Sequence, residues 1–208
     1  MTKTAELTAP LDGVDEGHLV IRHGLGAATI GTDPRMAELA HGRWQGRRLP
    51  RARVHRGTVE LTFPRLSLGL GSPQHELMLN GSVPWRIEVD GGAGEVEADL
   101  RGATVQSVDV QGGVARSRID LPAPVGTMVV RLGAVSDVTV TRPADVPVRV
   151  RVRRGSRRLT LDGYSWGAIG GPTTLTTPAT PSIPAYDEAT DRIDIVVDAA
   201  SDLTVTTT

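Results

Sequence analysis

Trp85-Arg-Ile-Glu-Val-Asp-Gly-Gly92 decides the fold, because its pattern returns three more times. The other copies are Ser107-Val-Asp-Val-Gln-Gly-Gly113, Met128-Val-Val-Arg-Leu-Gly133 and Val148-Arg-Val-Arg-Val-Arg-Arg-Gly155. Their last glycines are 21, 20 and 22 residues apart. Five residues before those glycines stand Ile87, Val108, Met128 and Val150; three before stand Val89, Val110, Val130 and Val152. Side chains alternate across a strand, so both apolar columns share one face, and a period of two excludes helix. A second apolar strand follows each glycine, marked by Val96, Ala98 and Leu100, then Ile119 and Leu121, Val138 and Val140, and Leu159 and Leu161.

A repeat near twenty residues predicts stacked coils, each burying its apolar edge on the next. Leu19-Val-Ile-Arg-His-Gly-Leu-Gly26 reads as a degenerate first coil, and Ile193-Asp-Ile-Val-Val-Asp-Ala-Ala200 as a closing one. Two further strands flank Gly57. Leucine-rich repeats are excluded, since they need an asparagine ladder and Asn80 is the single asparagine. Calcium-binding glycine–aspartate repeats fail because Val96 stands where the aspartate belongs. The expected fold is all-β: a β-solenoid, resembling a single-stranded β-helix with two or three sheets. The alternative is a β-sandwich, whose turns come every 8–12 residues or so.

The 208-residue chain has a net charge of −1, which gives no global field for nucleic acid or anionic membranes. Six aromatic residues are too few for base-stacking platforms. Without cysteine there is no disulfide, thiolate metal site or cysteine nucleophile. No apolar run reaches the ~20 residues of a membrane span, and the start lacks a signal-peptide core. The expected location is cytoplasmic, with membrane association through a partner as the alternative. Residues 1–12 read as a polar leader and 13–208 as one solenoid domain with irregular insertions at 34–52 and 163–190. Leu66-Ser-Leu-Gly-Leu-Gly-Ser72 reads as a connector.

No catalytic, metal or cofactor residues are predicted. The five histidines all precede position 76 and lack metal-ligand spacing. Glu88, Asp90, Glu95, Glu97 and Asp99 are numerous enough for glycoside chemistry, but alternate as a solvent face does. No serine occupies a nucleophile elbow. Two features invite contact instead. Arg149, Arg151 and Arg153 form a basic ladder that would cradle phosphate groups, or simply protect a sheet edge. Tyr164, Trp166 and Tyr186 in the 163–190 segment would anchor a ligand or protein, or cap the open end of the stack. The outward columns run from acidic Glu88 and Asp90 to basic Arg151 and Arg153, so the stack is expected to be polar and suited to self-association or partner contacts.

Leu79-Asn-Gly-Ser-Val-Pro-Trp85, the Gly-Gly coils, and Tyr186-Asp-Glu-Ala-Thr-Asp-Arg-Ile-Asp-Ile195 together resemble the toastrack domain, an adhesin-like domain of unknown function of LiaF-like and PspC-like envelope-stress proteins. The resemblance spans roughly residues 6–208. It implies a β-solenoid-like fold, no enzymatic activity, no cofactor, and a sensing or scaffolding role with a protein partner or envelope component. Members usually carry transmembrane helices, and this sequence shows none. A polysaccharide-active β-helix enzyme and a polymer-forming scaffold remain the alternative functions.

Overall fold

The computed structural model describes residues 3–47, 49–64 and 75–208, and every regular element among them is a strand. In chain order these are β1 (Lys3–Pro10), β2 (Gly17–Arg22), β3 (Ala28–Asp33), β4 (Glu38–Gly46), β5 (Arg51–His55) and β6 (Thr58–Thr62). Next come β7 (His75–Asn80), β8 (Trp85–Asp90), β9 (Ala93–Asp99), β10 (Val105–Val110), β11 (Val114–Asp120) and β12 (Thr127–Arg142). The last are β13 (Val148–Val152), β14 (Gly155–Leu161), β15 (Tyr164–Trp166), β16 (Ile169–Gly170), β17 (Thr173–Thr176) and β18 (Arg192–Thr207).

A coil is one strand on each of two faces, and coils stack by parallel pairing. The first face runs β5-β6-β2-β8-β10-β12-β18-β13-β17. The second runs β1-β4-β7-β3-β9-β11-β12-β18-β14, with β15 and β16 outermost. The long strands β12 and β18 belong to both faces and join them into one 18-stranded sheet. This is the expected solenoid-like stack.

Its interior is built from the predicted columns. Leu19, Ile87, Val108, Val130, Ile195 and Val150 form one, and Ile21, Val89, Val110, Leu132, Val197 and Val152 the next. None of these is more than 5% exposed. Each such side chain stabilises the fold by roughly 1.5–3 kcal/mol through burial. The register differs from the glycine spacing at one place: Val110 pairs with Leu132, two positions beyond Val130. A two-residue slip keeps every side chain on its face, so sequence periodicity cannot detect it.

The glycines mark more than turns. A Cβ on Gly133 would lie 2.1 Å from the Gly112 carbonyl oxygen, one on Gly112 would lie 2.5 Å from the Gly91 carbonyl carbon, and one on Gly91 would lie 2.6 Å from the Gly24 nitrogen. Successive coils touch backbone to backbone along this corner, and only glycine fits. Asn80 anchors the neighbouring turn from a fully buried position. Its Nδ2 donates to the Met36 and Glu38 carbonyls at 2.8 Å each, and its Oδ1 accepts from the Ser82 amide and hydroxyl at 2.8 and 2.6 Å. The Trp85 indole donates to the Asn80 carbonyl at 2.7 Å.

Coil order departs from chain order at both ends. The stack reads 58–80, 17–33, 85–99, 105–120, 127–142, 192–207, 148–161. The Leu19 coil is therefore internal, and the Ile193 coil lies between β12 and the β13–β14 coil instead of closing the stack. Antiparallel strands cover both ends: β1, β4 and β5 at one, β15, β16 and β17 at the other. Asp162 and Gly163 both have positive φ (50° and 84°), giving the two-residue hairpin between β14 and β15 its twist.

Residues expected to be a leader form β1, whose Ala5, Leu7 and Ala9 alternate inward. The expected insertion at 34–52 holds β4, with Ala40, Gly42 and Trp44 on its buried face. Gly42 hides the alternation because it is covered by the Trp44 ring, 2.4 Å from where a Cβ would stand. The 163–190 segment contributes β15 to β17. The connector Leu66–Ser72 lies outside the described residues.

Candidate interaction surface

Strand β13 places the basic ladder. Val148, Val150 and Val152 face the core while Arg149 and Arg151 face outward, and Arg153 follows with its amide donating to the Val197 carbonyl at 2.9 Å. The inserted β18 supplies the partners. Arg151 grips Asp194 with both arms, Nε to Oδ1 at 3.2 Å and Nη2 to Oδ2 at 2.5 Å. Arg149 reaches the same carboxylate at 3.6 Å. Arg153 and Arg154 share Asp198 at 3.4 and 3.3 Å, and Arg158 pairs with Asp202. Hydrogen bonding from Arg158 holds the Asp202 carboxyl below the usual range. The expected basic end is thus largely neutralised, because a coil carrying Asp194, Asp198 and Asp202 is slotted against it.

Arg149 also bears on the tyrosine expected at an interface. Its guanidinium carbon lies 4.3 Å from the Tyr186 ring centroid, and that of Arg192 lies 5.3 Å away. Tyr186 is only 5% exposed. Burial first, and then the Asp194 charge, push its hydroxyl pKa upward. Arg192 donates to the carbonyls of Tyr186, Asp187 and Ala189 at 3.3–3.4 Å, while Asp191 accepts from the Gly126 amide at 2.7 Å. Residues 186–191 are thereby fastened across the first face. Burial works against the charge on Arg149, and Tyr186, Asp194 and Asp187 more than offset it, so its pKa is raised.

The three aromatics do not share one element. Trp166 pairs opposite Leu159 on β15 and packs partly buried on the core, as an end cap does. Tyr164 stands 69% exposed on the same strand. Behind them, Arg142 is buried at 1% exposure and donates to the carbonyls of Pro143 (2.9 Å) and Val146 (2.6 Å) and to Asp162 (2.6 Å). Sequence reading missed the Asp194–Asp198–Asp202 series, which meets Arg149 and Arg151, Arg153 and Arg154, and Arg158 in turn.

The acidic face is likewise paired except at exposed Glu97, which has no ion pair among the described residues. Glu88 meets His18 at 3.2 Å, Asp90 meets Arg22 at 3.4 Å, Glu95 meets Arg116 at 3.0 Å and Asp99 meets Arg101 at 2.6 Å. The Arg101 hydrogen bond holds the Asp99 carboxyl low. Among the described residues no group of three or more metal-ligating side chains converges, and no helix is long and apolar enough to cross a membrane. An apolar void of about 10 Å³ beside Ile21, Leu61 and Leu77 has room for about one water-sized probe.

No curated protein matches the chain. A solved structure of a "putative cell adhesion protein" from Clostridium sporogenes superposes with a TM-score of 0.73 at 17% identity, covering 100% of both chains. At that identity the likeness speaks to the fold. A "putative adhesin" from Bacteroides fragilis (6% identity, 100% of this chain, 97% of that one) reaches 0.31. Another from Parabacteroides merdae (10%, 99% and 85%) reaches 0.32. The model of the N-terminal domain of toast_rack, DUF2154, matches residues 2–141, from β1 to the penultimate residue of β12. The chain belongs to the toast_rack family.

Proposed function

We propose that this protein is a non-catalytic interaction domain that serves bacterial envelope-stress sensing or signalling by docking a protein or envelope component. Family membership carries the reading. The rigid two-faced stack supports it, since solenoids offer extended surfaces fixed by their cores. Tyr164, the exposed aromatic of the distal cap, is the contact residue in this reading, with Arg153 and Arg154 beside the Asp198 they share. Arg149 and Arg151 extend that basic row along β13, while Trp166 and Tyr186 are packed inward.

The alternative, a polysaccharide-active enzyme, needs one carboxyl with a raised pKa facing a carboxylate across a cleft. On the acidic face Glu88, Asp90, Glu95 and Asp99 are paired, which leaves exposed Glu97 as its one carboxylate outside an ion pair among the described residues, and Asp99 is shifted the other way. Deleting the gene and challenging cells with a cell-wall antibiotic tests the proposal. The envelope-stress response is expected to change in the deletion strain and to be restored by the intact chain but not by a Tyr164→Ser variant. An unchanged response, or sustained glycan hydrolysis by the purified chain, would overturn it.

A further inference from the structure

The opposite end of the stack carries cations that no carboxylate among the described residues neutralises. Between Glu38 and Glu76 the sequence holds one carboxylate, Glu60, against Arg43, Arg47, Arg48, Arg51, Arg53, Arg56 and Arg65. Arg43 is paired with Glu6 at 3.0 Å, and Glu60 with Arg22 at 3.6 Å. Lys3, Arg47, Arg51, Arg53 and Arg56 are all exposed, and among the described residues none has a hydrogen-bonding or ionic partner for its side chain. Stretches 1–2, 48 and 65–74 contain no aspartate or glutamate. Outside this end, only Arg157 and Arg192 lack a carboxylate partner among the described residues, and Arg192 is spent on carbonyls.

Three of these cations, Lys3, Arg47 and Arg51, converge on one place. Lys3 starts β1 opposite Gly46, next to Arg47, where the chain leaves β4 on the second face. Arg51 starts β5 on the first face, opposite Thr62. His23 closes β2, and its Nδ1 lies 3.0 Å from the Phe63 carbonyl, so Nδ1 carries the proton and donates. Lys3, His23, Arg47 and Arg51 line a cleft of about 540 Å³ where the two faces part, with Leu49 and Phe63 among its apolar walls. Its lining contains no carboxylate.

We propose that this cleft binds a phosphate-bearing anion. Like charges gathered from separate segments repel one another, and a multivalent anion relieves that repulsion. Arginine forks match phosphate oxygens bidentately, which a single carboxylate ligand would leave under-used. The volume lies within the range of about 300–1,000 Å³ typical of small-ligand sites. A free phosphate compound and a phospholipid head group present the same chemistry. The site stands independently of any envelope-stress role.

Calorimetric titration with sodium pyrophosphate and co-sedimentation with phosphatidylglycerol or phosphatidylcholine vesicles test it. Saturable binding is expected to pyrophosphate if the source is soluble, and to phosphatidylglycerol vesicles alone if it is a head group. Either affinity should fall at least about tenfold in an Arg47→Ser/Arg51→Thr variant and less than about twofold in Arg101→Ser/Arg116→Ser, which removes the same charge from positions paired with Asp99 and Glu95. A Lys3→Gln variant gives a second reading should the first fail to fold. No saturable binding to any probe, or equal losses in both double variants, overturns the site. Tighter binding of a duplex oligonucleotide than of either phosphate probe overturns the small anion in favour of nucleic acid.

Discussion

The two ends of the stack are both rich in arginine and treat it oppositely. At the distal end Arg149, Arg151, Arg153, Arg154 and Arg158 each face an aspartate of the inserted coil, and buried Arg142 closes the cap with carbonyls and Asp162. At the proximal end Arg47, Arg51, Arg53 and Arg56 stand in solvent without partners among the described residues. The distal arginines hold the fold together; the proximal ones add nothing to it that the structure records. Charge kept exposed without stabilising the chain is charge available to a ligand, so the paired distal arginines are read first as structure and the unpaired proximal ones as the seat of the proposed anion.

That division can be broken most decisively at Arg142. Replacing it with methionine strands Asp162 and two carbonyls, and should cost about 3–5 kcal/mol in urea unfolding. A loss below about 1 kcal/mol would mean the distal cap does not depend on its arginine. Asp194→Ala leaves Arg149 and Arg151 facing each other with their shared acid gone. Because both guanidiniums are partly exposed, the expected loss is smaller, about 2 kcal/mol. The matching proximal change, Arg47→Ser with Arg51→Thr, should stay within about 0.5 kcal/mol by the same measurement. If the proximal variant loses as much as Asp194→Ala, the contrast between the ends fails.

The weakest effect is in the pH profile. Asp99 and Asp202 have carboxyl pKa values lowered by hydrogen bonds from Arg101 and Arg158. A depressed folded value means the stabilisation is present above the ordinary carboxylate pKa, about 3.9, and is lost as pH falls toward the folded value. Melting temperature should therefore decline below about pH 4, and Asp202→Asn should flatten that decline. An unchanged acid slope in the variant would show that the Arg158 pair is not coupled to folding.

What a coil is could be read from residues; where it sits could not. Val89 and Val152 announce their buried face through alternation alone, since that face depends only on neighbours two positions away. The Ile193 coil carries the same alternation, and its place beside β12 depends on contacts with residues 50 or more positions earlier, which no local pattern records. Arg149 and Arg151 were legible as a ladder, but their neutralisation follows from that placement. The proximal cleft was visible only as Arg47-Arg48-Leu-Pro-Arg51, because Lys3 and His23 reach it through pairing across the sheet. Strand β4 escaped notice because Gly42 offers no apolar side chain at the middle of its inward face.

The displaced coil also sets an order of events during synthesis. Residues 148–161 leave the ribosome before 192–207, yet they reach the rest of the stack only through those residues, which lie between them and β12. Until 192–207 emerge, one flank of β12 and one flank of the 148–161 coil are raw strand edges, each able to capture a neighbouring nascent chain. A translation pause or a premature stop between positions 162 and 191 would hold the protein in that state, so quality control should act most strongly on fragments ending there.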